Sequence, residues 1–286
     1  MFLTVLTGKS ITTAKHMSDI TVINDSEQSS LVTNGLAKNG ELYLKAAGST
    51  DAGAIVVYDS GVWRTFANEA SVGAWNDNTY SVDFDGTNDY MDAGNDSSLS
   101  ISGDLTLSAW INLDSLGAFQ GIISKRSSTT NYQFYIRNTN ILSFYDGNTI
   151  ANDNGALTTG SWIHVAVVVS GSSASFYRDG SFSSTKSGIN VSSNTANLTI
   201  GEINGASFLN GKVDECAVFD TALSASDISS IYNSGTPNDI SSLSPVGWWR
   251  MGDNDGGTGT TITDQGSGGN DGTLTNGPTF STDVPS

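Results

Sequence analysis

"WIHVAVVVSGSSASFYRDG", Trp162 to Gly180, decides the fold. Its first half is continuously apolar and rich in valine, which suits a strand buried on both faces. Gly171 breaks the run, "SASFYR" resumes it, and Asp179-Gly180 closes it. That is strand, turn, strand. Moving outward, similar runs recur every ten or so residues. "SVDFDG", "YMDAG", "LTLSAWINL", "GIISKR", "YQFYIRN" and "ILSFYDG" precede it; "ANLTIGE" and "GKVDECAVFD" follow. Several alternate apolar and polar, as half-buried antiparallel strands do. The expected class is all-β: an antiparallel sandwich of jelly-roll type. One short helix interrupts it, in "ALSASDISSIYNSG". Ser224 caps it, Asp227 answers three residues later, and Ile228, Ile231 and Tyr232 share a face. Gly235 is the expected stop.

Composition agrees. The 286 residues carry 32 glycines, and 29 acidic against 12 basic side chains, a net charge of −17. Twenty-four of the acids are Asp, which favours turns and strand ends. Such a surface repels phosphate backbones and anionic lipid, so nucleic acid and membrane are not expected partners; divalent cations are. Cys216 is the sole cysteine, which excludes an intrachain disulfide. No apolar run approaches the ~18 residues of a membrane span. The opening "MFLTVLTGKSITTAKH" is too short in apolar residues, and lacks the basic lead, for a secretion signal.

The chain divides as follows. Residues 1–18 read as an arm. Residues 19–70 read as a small β module for attachment or assembly, with a hairpin turn at Asp59-Ser60-Gly61. Residues 71–79 are a joint, and 80–240 the jelly roll. Residues 241–286 are a strand, "GWWRMG", opening into an acidic glycine-rich loop that closes the sandwich or contacts a neighbour.

"FDGTNDYMDAG" (Phe84–Gly94), "LTLSAWINLD", "GSWIHVAVVVSGSSASFYRDG", "LTIGE" and "FLNGKVDECAVFDTALSASDI" occur in this order. Together they resemble the laminin-G-like, concanavalin A-like jelly-roll family over residues 80–235. "WWRMGDNDGGTGTTITDQGSGGNDGTLTNGPTF" is similar to a segment that often precedes the "FDG" strand in that family; here it follows the domain. Residues 40–70 resemble a short module of bacteriophage fibre and other virion proteins. These resemblances imply a non-enzymatic structural or adhesive subunit of a virion appendage or extracellular filament, a homo-oligomer joined through the N-terminal arm and edge strands, binding surface glycans. The alternative is a monomeric carbohydrate-binding module, and after it a glycosidase on the same fold.

Candidate sites follow from chemistry. Calcium takes six to eight oxygens. The C-terminal loop offers Asp253, Asn254, Asp255, Asp264, Asn270 and Asp271; a second set is Asp85, Asn88, Asp89 and Asp92. Glycan binding calls for an exposed aromatic plus Asn or Asp on loops at one end of the sandwich, with Tyr90, Phe119, Tyr132 and Tyr145 as candidates. Trp248, Trp249 and Met251 are candidates for assembly through strand insertion. A retaining glycosidase needs two carboxyl groups ~5 Å apart. Asp214 and Glu215 are adjacent, so a regular strand points them to opposite faces, and Glu202 stands alone; no catalytic residue is expected. His164 and Cys216 read as structural.

Overall fold

The computed structural model describes residues 78–126 and 130–286, together with the backbone of six strands nearer the start of the chain. It falls into two units, Met1–Trp75 and Asn76–Ser286. In the first, β1 (Phe2–Thr7) and β2 (Ser10–His16) pair antiparallel. Separately, β3 (Thr21–Ile23) runs parallel to β4 (Leu42–Lys45), which continues antiparallel into β5 (Ile55–Asp59) and β6 (Val62–Ala67). The side chains of this unit lie outside the described residues, and with them the fibre-like module and the connecting role of the arm.

The second unit is a sandwich of two antiparallel sheets. The back sheet follows the order β16 (Ser181–Ser187), β15 (Ser173–Arg178), β14 (Trp162–Ser170), β9 (Leu105–Leu113), β18 (Asn210–Phe219), β7 (Ser81–Asp85), β22 (Thr279–Ser281), with β19 (Gly247–Trp249) also paired to β18. The front sheet runs β13 (Ile150–Ala156), β12 (Ile141–Tyr145), β11 (Thr130–Ile136), β10 (Gln120–Arg126), β17 (Leu198–Ile200), β8 (Tyr90–Asp92), β21 (Gly272–Thr275), β20 (Thr261–Ile262). Leu107, Val165, Val167, Phe176 and Val218 from the back meet Tyr132, Phe134, Phe144 and Ile200 from the front. The valine-rich run is central, between β9 and β15. Its continuity has a cause. Val165, Val167 and Val169 fill the core, while His164, on the opposite face, lies under the Trp110 and Tyr232 rings at 5.4 and 6.1 Å.

Tyr232 ends helix α1 (Ala225–Tyr232), which has the expected capping box between Ser224 and Asp227. The stop differs. Asn233, not Gly235, takes the left-handed conformation, at φ 44°, and returns its N–H to Ser229. Asn tolerates that region better than other non-glycine residues. Strands β13 and β16 were not legible. Both are edge strands with largely polar side chains, so one face has no apolar residues to mark the period.

The C-terminal stretch belongs to this sandwich. β19 pairs with β18, β21 with β8, and β22 with β7. Trp248, Trp249 and Met251, expected at a subunit contact, are buried within their own chain. Trp249 and Met251 enter the core, and Trp248 turns the other way with Arg250, 5.8 Å from its ring. The polar tail needs no neighbour to order it. Asp283 accepts from the Trp162 indole at 2.9 Å and pairs with Lys212 at 3.4 Å, and Ser81 Oγ donates to the Asp283 carbonyl.

Candidate glycan-binding groove

Strand alternation builds the outer face of the front sheet. In β11, Tyr132, Phe134 and Ile136 point into the core, so Gln133 and Tyr135 point out. Register then sets two cross-strand rows. Gln133 lies opposite Tyr145, and Tyr145 opposite Ile150; Tyr135 lies opposite Ser143, and Ser143 opposite Asn152. Phe119, just before β10, stacks on Tyr135 with centroids 6.3 Å apart. The result is a groove of about 390 Å³ walled by these aromatics, Arg126, Gln133 and Ile150, with Ile203 and Ser207 at one side. That size is within the usual range for small-ligand clefts. Phe119 and Ile150 are 41% and 46% exposed, large apolar side chains left open on the surface.

Two guanidinium groups hold the rings. Arg126 Cζ lies 5.9 Å from the Tyr145 centroid, and Arg137 Cζ 5.8 Å from that of Phe119. Arg126 donates to Gln133 Oε1 at 3.3 Å, and Arg137 to Asn152 Oδ1 at 3.5 Å. Burial raises the Tyr135 pKa above its ordinary value, and the fields of Arg137 and Arg126 both oppose that rise.

Of the four expected aromatics, the groove gathers Phe119 and Tyr145. Tyr132 does not belong there: it is fully buried and its hydroxyl donates to the Leu99 carbonyl at 3.0 Å. Tyr90 is half-buried on β8, opposite Thr275, away from the groove. Tyr135, Arg126 and Arg137 were missed, although for Tyr135 and Arg137 "YQFYIR" carries the signal. Its odd positions share the apolar face and its even positions the polar one.

The carboxylates of the acidic loop are engaged by the chain's own donors. Asp264 accepts the backbone N–H groups of Trp248, Gly266 and Asn270, each at 2.7 Å. Asp255 accepts from Thr263, Asp271 from the Asp264 N–H, and Asp253 from the N–H groups of Thr79 and Tyr80. Asn270 donates to Ser98, and its carbonyl receives the Trp249 indole. Asn254 is half-buried beside them. The second set also fails to converge. Asp92 is turned to Asn197, Asp85 to the Thr87 N–H, and the Asn88 carbonyl to Asn276. Asp89 Oδ2 accepts the Asp85 N–H, which leaves Oδ1 as its only unpartnered oxygen.

Among the described residues, the three carboxylates whose oxygens do converge, within 4.8 Å, are Asp214, Glu215 and Asp253. Adjacent residues meet because the strand is not regular. A bulge lies between Asp214 and Ala217, with Glu215 at φ 46°. Glu215 binds Arg250 at 2.9 Å and the Trp248 indole at 2.6 Å, and Arg250 reaches Asp253 at 3.1 Å. Burial pushes Glu215 up to about 7 against the lowering effect of Arg250. Burial, then Glu215 and Asp253, raise Asp214 well above its ordinary value. Asp214 is 0% and Glu215 6% exposed, so no sugar reaches this pair. His164 is likewise closed off, bonded to Ser108 at 2.8 Å and lowered by burial to about 3. Burial also pushes the Cys216 thiol up.

No helix among the described residues is long and apolar enough to cross a membrane. No curated protein sequence matches the chain significantly. A candidate carbohydrate-binding protein from Bacteroides ovatus superposes with a TM-score of 0.58 and 20% identity, over 87% of this chain and 71% of its own. A heptameric SAP-like pentraxin from Limulus polyphemus overlaps 54% of this chain and 82% of its own, at 18% identity and TM-score 0.44. The sialyllactose-bound CBM40 of a Ruminococcus gnavus sialidase overlaps 55% and 99%, at 15% identity and TM-score 0.43. At these identities the likeness is one of fold. Residues 85–229, half of the sequence, match a family directly: the chain belongs to the concanavalin A-like lectin/glucanases superfamily, with a domain of the laminin-G type.

Proposed function

We propose that this chain is a non-catalytic carbohydrate-binding module, acting at a cell surface or outside the cell. The observation that carries this is the groove on the outer face of the front sheet, where the exposed Phe119 and half-buried Tyr145 stand beside Arg126 over a nearly buried floor of Tyr135 and Gln133. Flat rings present apolar faces to the C–H face of a sugar, while a guanidinium group bonds its hydroxyls. The chemistry for hydrolysis is missing from the groove, whose described wall holds no carboxylate. The fold likeness to the Bacteroides protein, described as a candidate carbohydrate binder, is in keeping with this reading. The virion-appendage expectation rests on residues 40–70, whose side chains lie outside the described residues, and the carbohydrate-binding alternative takes first place.

A panel of oligosaccharides titrated calorimetrically into the full chain tests it. At least one sugar binds, and Phe119→Ala or Tyr145→Ala abolishes that binding without altering the fold. Binding unaffected by both substitutions would remove the groove from consideration.

A further inference from the structure

Resting on that reading, we propose that the groove selects an anionic saccharide, one whose sugar carries a carboxylate or sulfate group. The argument is charge placement. Seven cationic residues lie between Asn78 and Ser286. Arg178, Lys212 and Arg250 are paired with Asp153, Asp283, and Glu215 with Asp253. Lys125 is buried, its ammonium on the Ala196 carbonyl, and Lys186 points to Asn154. Of the remaining two, Arg126 lines the groove and Arg137 lies against the ring of Phe119 in its wall, and among the described residues neither has a carboxylate partner.

Among the described residues, neutral amides are their hydrogen-bonded side-chain neighbours, apart from the phenol of Tyr135. Each guanidinium has five N–H donors in a fixed fork, matched to a planar carboxylate or to sulfate oxygens. Stacking on Tyr145 and Phe119 fixes their positions in advance, which lowers the ordering cost of binding. A chain with a net charge of −17 otherwise repels polyanions. Local guanidinium groups are therefore needed for any preference for an acidic sugar, and that preference reports on them rather than on bulk attraction.

Three matched probes test this on the full chain: a galacturonate trimer, its carboxyl-reduced galactose counterpart, and a sulfated galactose trimer. The expected result is at least about tenfold tighter binding of one charged trimer than of the neutral one at low salt. That preference falls as ionic strength rises. Arg126→Gln and Arg137→Gln each reduce it, and the double substitution leaves charged and neutral trimers equal. Whichever charged trimer is preferred identifies the anion as carboxylate or sulfate. A neutral trimer bound as well as the charged ones overturns the inference and leaves the binding module standing. A charged preference that survives the double substitution also overturns it. If no trimer binds and the wider panel gives no ligand either, the module reading falls with it.

Discussion

The Trp248 indole donates to Glu215 Oε2 over 2.6 Å, joining residues 33 apart in sequence. The bond exists because a bulge turns Glu215 toward β19, where Arg250 also waits. Several acidic residues among those described are internal fasteners of that kind.

Asp264 shows it most directly, with three backbone N–H groups on one carboxylate. Asp264→Ala strips those partners and is expected to cost on the order of 3 kcal/mol. Because its donors are the chain's own, the loss should be the same in calcium and in chelator. Thermal melts of both proteins in both conditions check this. A wild-type melting temperature that falls on chelation, with the variant insensitive, would instead support calcium at this loop.

Asp214 should give the stability profile a pH signature. Its folded pKa lies well above the ordinary 3.8, so it holds a proton in the folded state that the unfolded chain releases. Its contribution is present below about pH 4 and lost as pH rises through the folded value. Glu215 acts in the same direction between its ordinary 4.5 and about 7. His164 opposes both: lowered from 6.5 to about 3, its contribution is full above 6.5 and lost as pH falls toward 3. Asp214→Asn keeps the acceptor for the Glu215 N–H and removes the charge. The variant should melt higher than wild type at pH 8 and close to it at pH 4. Equal differences at the two pH values would count against Asp214 as the titrating group.

Trp249 and Phe119 should separate stability from binding. Trp249 is fully buried, with its indole on the Asn270 carbonyl, and Trp249→Ala should cost about 3–5 kcal/mol. Phe119 is open on the surface, and Phe119→Ala should change stability by no more than about 0.5 kcal/mol. Chemical denaturation of the two variants reads this. A loss at Phe119 comparable to that at Trp249 would mark it as a structural side chain.

The second unit should tolerate rejoining. Asn78 Nδ2 lies 3.4 Å from the Pro285 carbonyl, and β22 pairs with β7. A short glycine-serine link from Ser286 to Asn78, with the chain opened between the exposed Asn238 and Asp239, places the C-terminal strands ahead of the "FDG" strand. The permuted protein should fold with the same circular dichroism and a cooperative melt. A permutant that stays unfolded would show that the present order of strands matters for folding.

The all-β class, the central valine strand, the capping box at Ser224 and the structural roles of His164 and Cys216 were legible in the sequence. Each rests on local periodicity or on a side chain reaching backbone a few residues away. What sequence could not reach were relations set by strand partners. Glu215 joins Asp214 on one side only because a bulge breaks the alternation, and a bulge is defined against the neighbouring strand. Tyr132 and Tyr135 look alike as letters, yet alternation sends one into the core and packs the other on the outer face under Phe119. Arg126 and Arg137 are eleven residues apart, and one comes to line the groove and the other to back its Phe119 wall because β10 and β11 pair antiparallel beside β12. Local sequence determined which segments are strands and which face of each is apolar. Only pairing between distant strands decided which polar and aromatic side chains meet, since hydrogen-bonded backbone, not sequence proximity, sets that geometry.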